Sequence, residues 1–217
     1  MNRTIKTTLA ESPSQLMGTL AIMGFAAEDN LRNVARALGK RAPGELARTG
    51  ERNTKQARLR AEIEEQIVQE MAQATIGTRY RRKLILASQV ALMFERMGAR
   101  TVEIAELCEQ VLCDSRPSRL KDVSKLIEHA VYITDRAATG LVEEDLEMAQ
   151  MAREQKRAAS DLNARINQEL ASLAETRGDA ATRADLLCRI ACKAHGIIEE
   201  AGQLASDVIG FLEKPEL

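Results

Sequence analysis

The chain has 217 residues, 45% hydrophobic and 29% charged, which suits one large or two modest globular domains; no run approaches the 18 uninterrupted apolar residues of a membrane span. Its 31 basic and 32 acidic side chains balance, which argues against a nucleic-acid binder held by bulk charge. Two Tyr, three Phe and no Trp leave little for β-strand pairing, whereas Ala, Leu, Glu, Arg and Met dominate, so the chain reads as all-α.

Helix breakers divide it into six elements. Pro13 behind Ser12 is a start signal, and the first helix then runs to about Gly39. Glu45, just after Pro43 and Gly44, opens a second that continues to the turn at Thr75, Ile76, Gly77 and Thr78. A third reaches about Cys113, and Ser115, Arg116 and Pro117 mark the mid-chain break. A fourth helix follows to Gly140, a fifth spans about Glu143 to Thr176, and a sixth spans about Asp179 to Glu213. Connections of a few residues make neighbours antiparallel, so each half is a long three-helix bundle. The halves are residues 1–114 and 115–217.

The halves repeat one another. At an offset of 100, Ala87, Ala91, Phe94, Gly98, Thr101, Ala105 and Cys108 fall on Leu187, Ala191, Ala194, Ile198, Ala201, Ala205 and Val208. Steps alternating three and four form the seam of a helix packed lengthwise against others. Glu45 and Leu46 answer Asp145 and Leu146 at the same offset, and Leu59, Ile63 and Ile67 answer Leu162, Ile166 and Leu170 at an offset of 103. An internal period of this kind points to two similar tandem units.

Cys188, Cys192 and His195 lie at i, i+4 and i+7 on one helix, a pattern that suggests zinc. Cys188 and His195 are about 10 Å apart along such a helix, too far for one ion with bonds near 2 Å. Cys108 lies on the seam and Cys192 beside it, so the four cysteines read as reduced core thiols, with no disulfide expected in a cytoplasmic protein. Arg79, Arg81, Arg82 and Lys83 open the third helix and form either a grip for phosphate or an acidic partner, or an ordinary solvated surface. There is no Gly-rich phosphate loop, no nucleophile with a positioned His and no HExxH pair, so no enzyme is expected.

The two halves, the Leu and Ile pattern of the second and fifth helices, and above all Glu95, Arg96, Met97 and Gly98 resemble the PhoU family of phosphate-signalling proteins. That family's motif reads Glu, Arg, Ile, Gly, Asp in each half, followed by a segment close to Asn, Ile, Ala, Glu. Here Met97 replaces Ile and Ala99 replaces Asp, and Glu103, Ile104, Ala105 and Glu106 follow in register. In the second copy His195, Gly196, Ile197, Ile198 and Glu199 occupy the motif. Tyr80 stands where the family has a further Asp. The resemblance implies metal ions shared between carboxylates one helical turn apart, and the first copy keeps Glu95 alone. His195 with Glu199 suits a single divalent ion such as zinc, and any such ion would weaken in acid; a solvated pair is the alternative.

The resemblance further implies a cytoplasmic negative regulator of phosphate uptake and phosphate-starvation signalling, which binds a phosphate ABC transporter and its membrane histidine kinase and meets the membrane only through them. The N-terminal segment, with Thr7, Thr8, Glu11 and Ser12, has no apolar signal core, in keeping with the cytoplasm. Small seam residues such as Gly98 and Ala99 allow close helix approach, within the chain or in a homodimer. Two other functions remain at this level: a metal-binding helical protein centred on His195 and Glu199, and a purely structural helical scaffold.

Overall fold

The computed structural model describes residues 4–46, 49–73, 76–113, 120–175 and 178–214, and of residues 4–14 and 50–52 the backbone alone. Six helices follow in order: α1 (Thr4–Lys40), α2 (Thr49–Met71), α3 (Thr78–Leu112), α4 (Leu120–Val142), α5 (Leu146–Ala174) and α6 (Asp179–Leu212), with a 3-10 turn at Pro43–Leu46 between α1 and α2. The described residues contain no strand.

The breakers place the helix ends to within a few residues, with two exceptions. Helix α1 opens at Thr4, ahead of the Ser12–Pro13 start, because a proline removes one backbone hydrogen bond without compelling a helix to begin there. Helix α2 does not open at Glu45: the Glu45 N–H donates to Ala42 O at 3.2 Å, closing a tight turn that drops Leu46 into the core before α2 begins. The breaks at Thr75, at Ser115, Arg116 and Pro117, and at Thr176 lie outside the described residues. Helix α5 starts just past the expected Glu143, where the Asp145 carboxylate accepts the N–H groups of Glu147 and Met148 at 2.9 and 3.1 Å.

Packing follows the repeat. Helices α1, α3, α4 and α6 form the centre, with α2 flanking α1 and α3, and α5 flanking α4 and α6. All fourteen seam positions from Ala87 to Cys108 and from Leu187 to Val208 are buried, and α3 and α6 run antiparallel, with Arg96 meeting Glu200 and Glu103 meeting Lys193. The flank helices repeat as well: Ile63 and Ile67 in α2 and their counterparts Ile166 and Leu170 in α5 are buried, while Leu59 and Leu162 are half-buried. One apolar core runs through both halves.

Phe94 is the largest fully buried side chain, and the end of its ring faces Gly24 of α1, where an added Cβ would stand 3.1 Å from Phe94 Cζ and 3.0 Å from Ala138 Cβ. Helix α1 can thus approach α3 and α4 closely only because residue 24 has no side chain. Ala194, at the corresponding position of α6, is equally buried but has no bulk to remove. Phe94→Ala is therefore expected to leave a cavity and cost about 3–5 kcal/mol. Urea unfolding checks this, and an unchanged midpoint would place the ring outside the core.

Candidate functional site

The three side chains singled out from the motifs fall at two different helix seams. Glu95 lies on α3 facing α2, where its Oε2 accepts from Arg60 Nη1 at 2.6 Å. The same guanidinium holds Glu64 Oε1 through Nη2 at 2.7 Å, so one cation bridges two carboxylates. Hydrogen bonds to Glu95 and then to Glu64 raise the Arg60 pKa above its already high value. Near the N-terminal end of α3, Tyr80 is half-buried, and desolvation, followed by the charge of Glu70, pushes its phenol up to about 12. A neutral phenol there cannot replace a carboxylate ligand.

His195 and Glu199 do come together, on α6 facing α5. His195 Nε2 lies 3.5 Å from Glu199 Oε1 and 3.4 Å from Ser160 Oγ of α5. The other carboxylate oxygen, Oε2, accepts from Lys156 Nζ at 2.8 Å. Lys156 reaches it by laying its stem across Gly202, where an added Cβ would stand 2.4 Å from Lys156 Cδ. Among the described residues no group of three His, Cys, Asp or Glu side chains is placed to hold a metal ion. The donor set of a carboxylate-rich cluster does not fit this chain, because its two remaining motif acids already hold side-chain cations.

The remaining motif residues serve packing between helices. Gly98 is the seat of Gln56: an added Cβ would stand 1.8 Å from Gln56 Oε1 and 2.6 Å from Asn53 Oδ1. From that seat the fully buried Gln56 donates through Nε2 to Met23 O at 3.1 Å, tying α2 to α1 across α3. The close approach allowed by Gly98 is therefore made within the chain. Arg96 Nη2 and Arg100 Nη1 both grip Glu200 of α6, at 2.8 and 2.6 Å, and Lys193 pairs with Glu103. Sequence spacing could not find Arg60, Lys156, Ser160 or Glu200, since each acts on a helix distant in the chain.

The basic cluster is largely engaged. Lys83 and Arg79 pair with Glu144 at 2.5 and 3.5 Å, and Arg79 and Arg82 stand 5.8 and 5.6 Å from the centre of the Phe211 ring. The cysteines divide. Only Cys108 is a core thiol, pushed up to about 12 by burial, whereas Cys113 and Cys192 are exposed and Cys188 is intermediate. Cys192 follows Ala191 and so turns about 100° off the seam, which removes it from the core. All four are free thiols.

No protein-family model matches this sequence, and no curated protein matches it. The structure, in contrast, superposes on the crystal structure of PhoU from Pseudomonas aeruginosa with a TM-score of 0.88. The fold is that of PhoU. The match covers 93% of this chain and 97% of that one at 17% sequence identity. The two proteins thus share the helical architecture while most side chains differ.

Two measurements probe the site's surroundings. Native alkylation is expected to modify Cys113 and Cys192 first, with Cys108 modified only on unfolding, because the buried thiol forms little thiolate; mass spectrometry of the labelled chain decides it. His129 of α4 offers a pH test. Its pKa is lowered from 6.5 by desolvation, against an opposing pull from Glu128, and Gln155 Nε2 lies 2.8 Å from its Nδ1. The unfolded chain then binds this proton more readily than the folded one, so the His129 contribution is present above pH 6.5 and is lost as pH falls below it. Unfolding midpoints between about pH 7.5 and about pH 5.5 should decline, and His129→Gln should flatten that slope. Equal slopes in both proteins would mean that the imidazole is equally solvated in the folded and unfolded states.

Proposed function

We propose that this chain is a PhoU-like regulator of phosphate uptake and phosphate-starvation signalling, acting by protein–protein binding. The observation that carries this reading is a fold match with PhoU extending over nearly the whole of both chains. The motif around Glu95, Arg96, Met97 and Gly98 supports it independently. The partners are a phosphate ABC transporter and the phosphate-responsive histidine kinase, bound from the cytoplasm. The regulator holds the kinase off when phosphate is plentiful, without catalysis of its own. The chain comprises two tandem units, residues 1–114 and 115–217, and is able to form a homodimer.

Binding alone suffices for such control. A partner with two states is shifted by whatever difference in affinity the regulator has for them, and moving it from 1:99 to 99:1 takes about 5.5 kcal/mol. Long helices with polar outer faces supply the area over which such a difference accumulates. No helix among the described residues is long and apolar enough to cross a membrane, which accords with a protein that reaches the membrane through its partners.

A second reading, a metal-binding helical protein centred on His195 and Glu199 with zinc as its ion, is favoured by the 3.5 Å approach of their polar atoms and opposed by the ammonium of Lys156. A phosphate-starvation reporter tests the regulatory reading. In a strain lacking this chain the reporter should be active in phosphate-rich medium and should be silenced by the restored gene. A reporter indifferent to the deletion would leave the scaffold or metal readings in its place.

A further inference from the structure

The three phenylalanines of the chain meet different fates. Phe94 is buried, Phe211 lies beneath the guanidinium groups of Arg79 and Arg82, and Phe25 is 63% exposed on α1. Ile22, one turn before Phe25, is 50% exposed. From Leu16 to Ala27 the sequence has no charged residue, so this part of α1 lacks the polar outer face that a solvated helix carries. Phe25 also lines a groove between α1 and α4, together with Val142, itself 36% exposed at the end of α4. Gly24 and Ala138, both buried, give the groove a floor without bulk. Apolar side chains gathered on a surface in this way mark a place of contact.

Charge at the same groove says what kind of contact. Glu28, Asp135 and Glu143 line it, and no Lys or Arg does. Arg32 reaches Glu28 from the next turn of α1, and Arg136 lies 3.8 Å from Asp135. The exposed Glu143 carboxylate has no cation among the described residues. A second copy of the chain laying this face against its own would bring like charges together, which is costly. An anionic bilayer surface would be repelled in the same way. A segment with an apolar side chain for the groove and Lys or Arg beside it is attracted by both features.

We infer that the groove between α1 and α4 is a docking surface for a cationic amphipathic segment of a partner protein. An aromatic or aliphatic side chain of that segment packs against Phe25 and Val142, and its flanking Lys or Arg side chains meet Glu28, Asp135 and Glu143. The inference comes from this surface alone and holds for a partner in phosphate control or outside it.

Photo-crosslinking of the full chain in its native cells tests it. The probe is Ile22→benzoylphenylalanine, with Val68→benzoylphenylalanine on α2, where the native side chain is 69% exposed, as the control. Mass spectrometry after irradiation should find one partner-protein segment joined at residue 22 and not at residue 68, with Lys or Arg within a few residues of its apolar side chain. Adding Phe25→Ser or Glu143→Lys should each reduce that adduct at least about tenfold. Glu143→Gln replaces the lysine variant if its thermal midpoint shows that it fails to fold. No adduct at residue 22, an adduct with a second copy of this chain, with lipid or with a segment free of Lys and Arg, an equal adduct at residue 68, or one that survives both added substitutions would each overturn the inference. A cationic segment from a protein unconnected with phosphate supports the docking surface and not the regulatory reading, whereas a phosphate reporter that responds to deletion beside an empty crosslink at residue 22 does the reverse.

Discussion

The burial of the small-residue seams of antiparallel α3 and α6 is the constraint on which the rest of the molecule depends. Their seams carry Ala87, Ala91, Gly98, Ala105, Ala191, Ala194, Ala201 and Ala205, all buried, so neighbouring helices can lie close against this pair, as α2 does where Gln56 sits on Gly98. With the central pair joined, α1 and α4 have a continuous surface to cover, and α2 and α5 have grooves to flank. A large side chain enters this arrangement only where a glycine opposite leaves room, as Phe94 does against Gly24. A core so poor in aromatic rings gains its stability from many small contacts.

Around this apolar centre the polar contacts follow a consistent pattern. A long side chain from one helix is seated on the bare backbone of a glycine in the next and delivers its polar end beyond it. Gln56 crosses Gly98 to reach Met23 O, and Lys156 crosses Gly202 to reach Glu199. Arg100 likewise lies against Gly196 while pairing with Glu200. Glu200 is nearly buried and receives two guanidinium groups, so the two halves are joined by charge as well as by the core. Half-buried pairs of this kind specify register more than they add stability, because desolvation offsets much of their attraction.

The site was partly legible in the sequence. His195 and Glu199 stand one turn apart on α6, and their adjacency follows from helix geometry alone. In the sequence Glu95 stands as the one acid its motif keeps, but its partner Arg60 is 35 residues away and no spacing rule reaches it. The cysteines show the same limit. Cys108 was placed in the core by the three-and-four rhythm, whereas Cys192, one residue off that rhythm, turns to the surface. At the helix starts, Asp145 announces α5 through a local cap, while Glu45 does not begin α2 because Leu46 is drawn into the core first.

By itself, the sequence determined the all-α class, the number and rough extent of the helices, and the buried three-and-four seams of α3 and α6. Those properties depend on local propensity, on breakers and on apolar periodicity, which act within a few residues of one another. The tertiary structure decided which cation lies on which acid, which glycines serve as seats, and that one core runs through both halves. Each of these depends on contacts between residues far apart in the chain. A one-dimensional pattern shows which face of a helix is buried, but not which side chain will be lying across it.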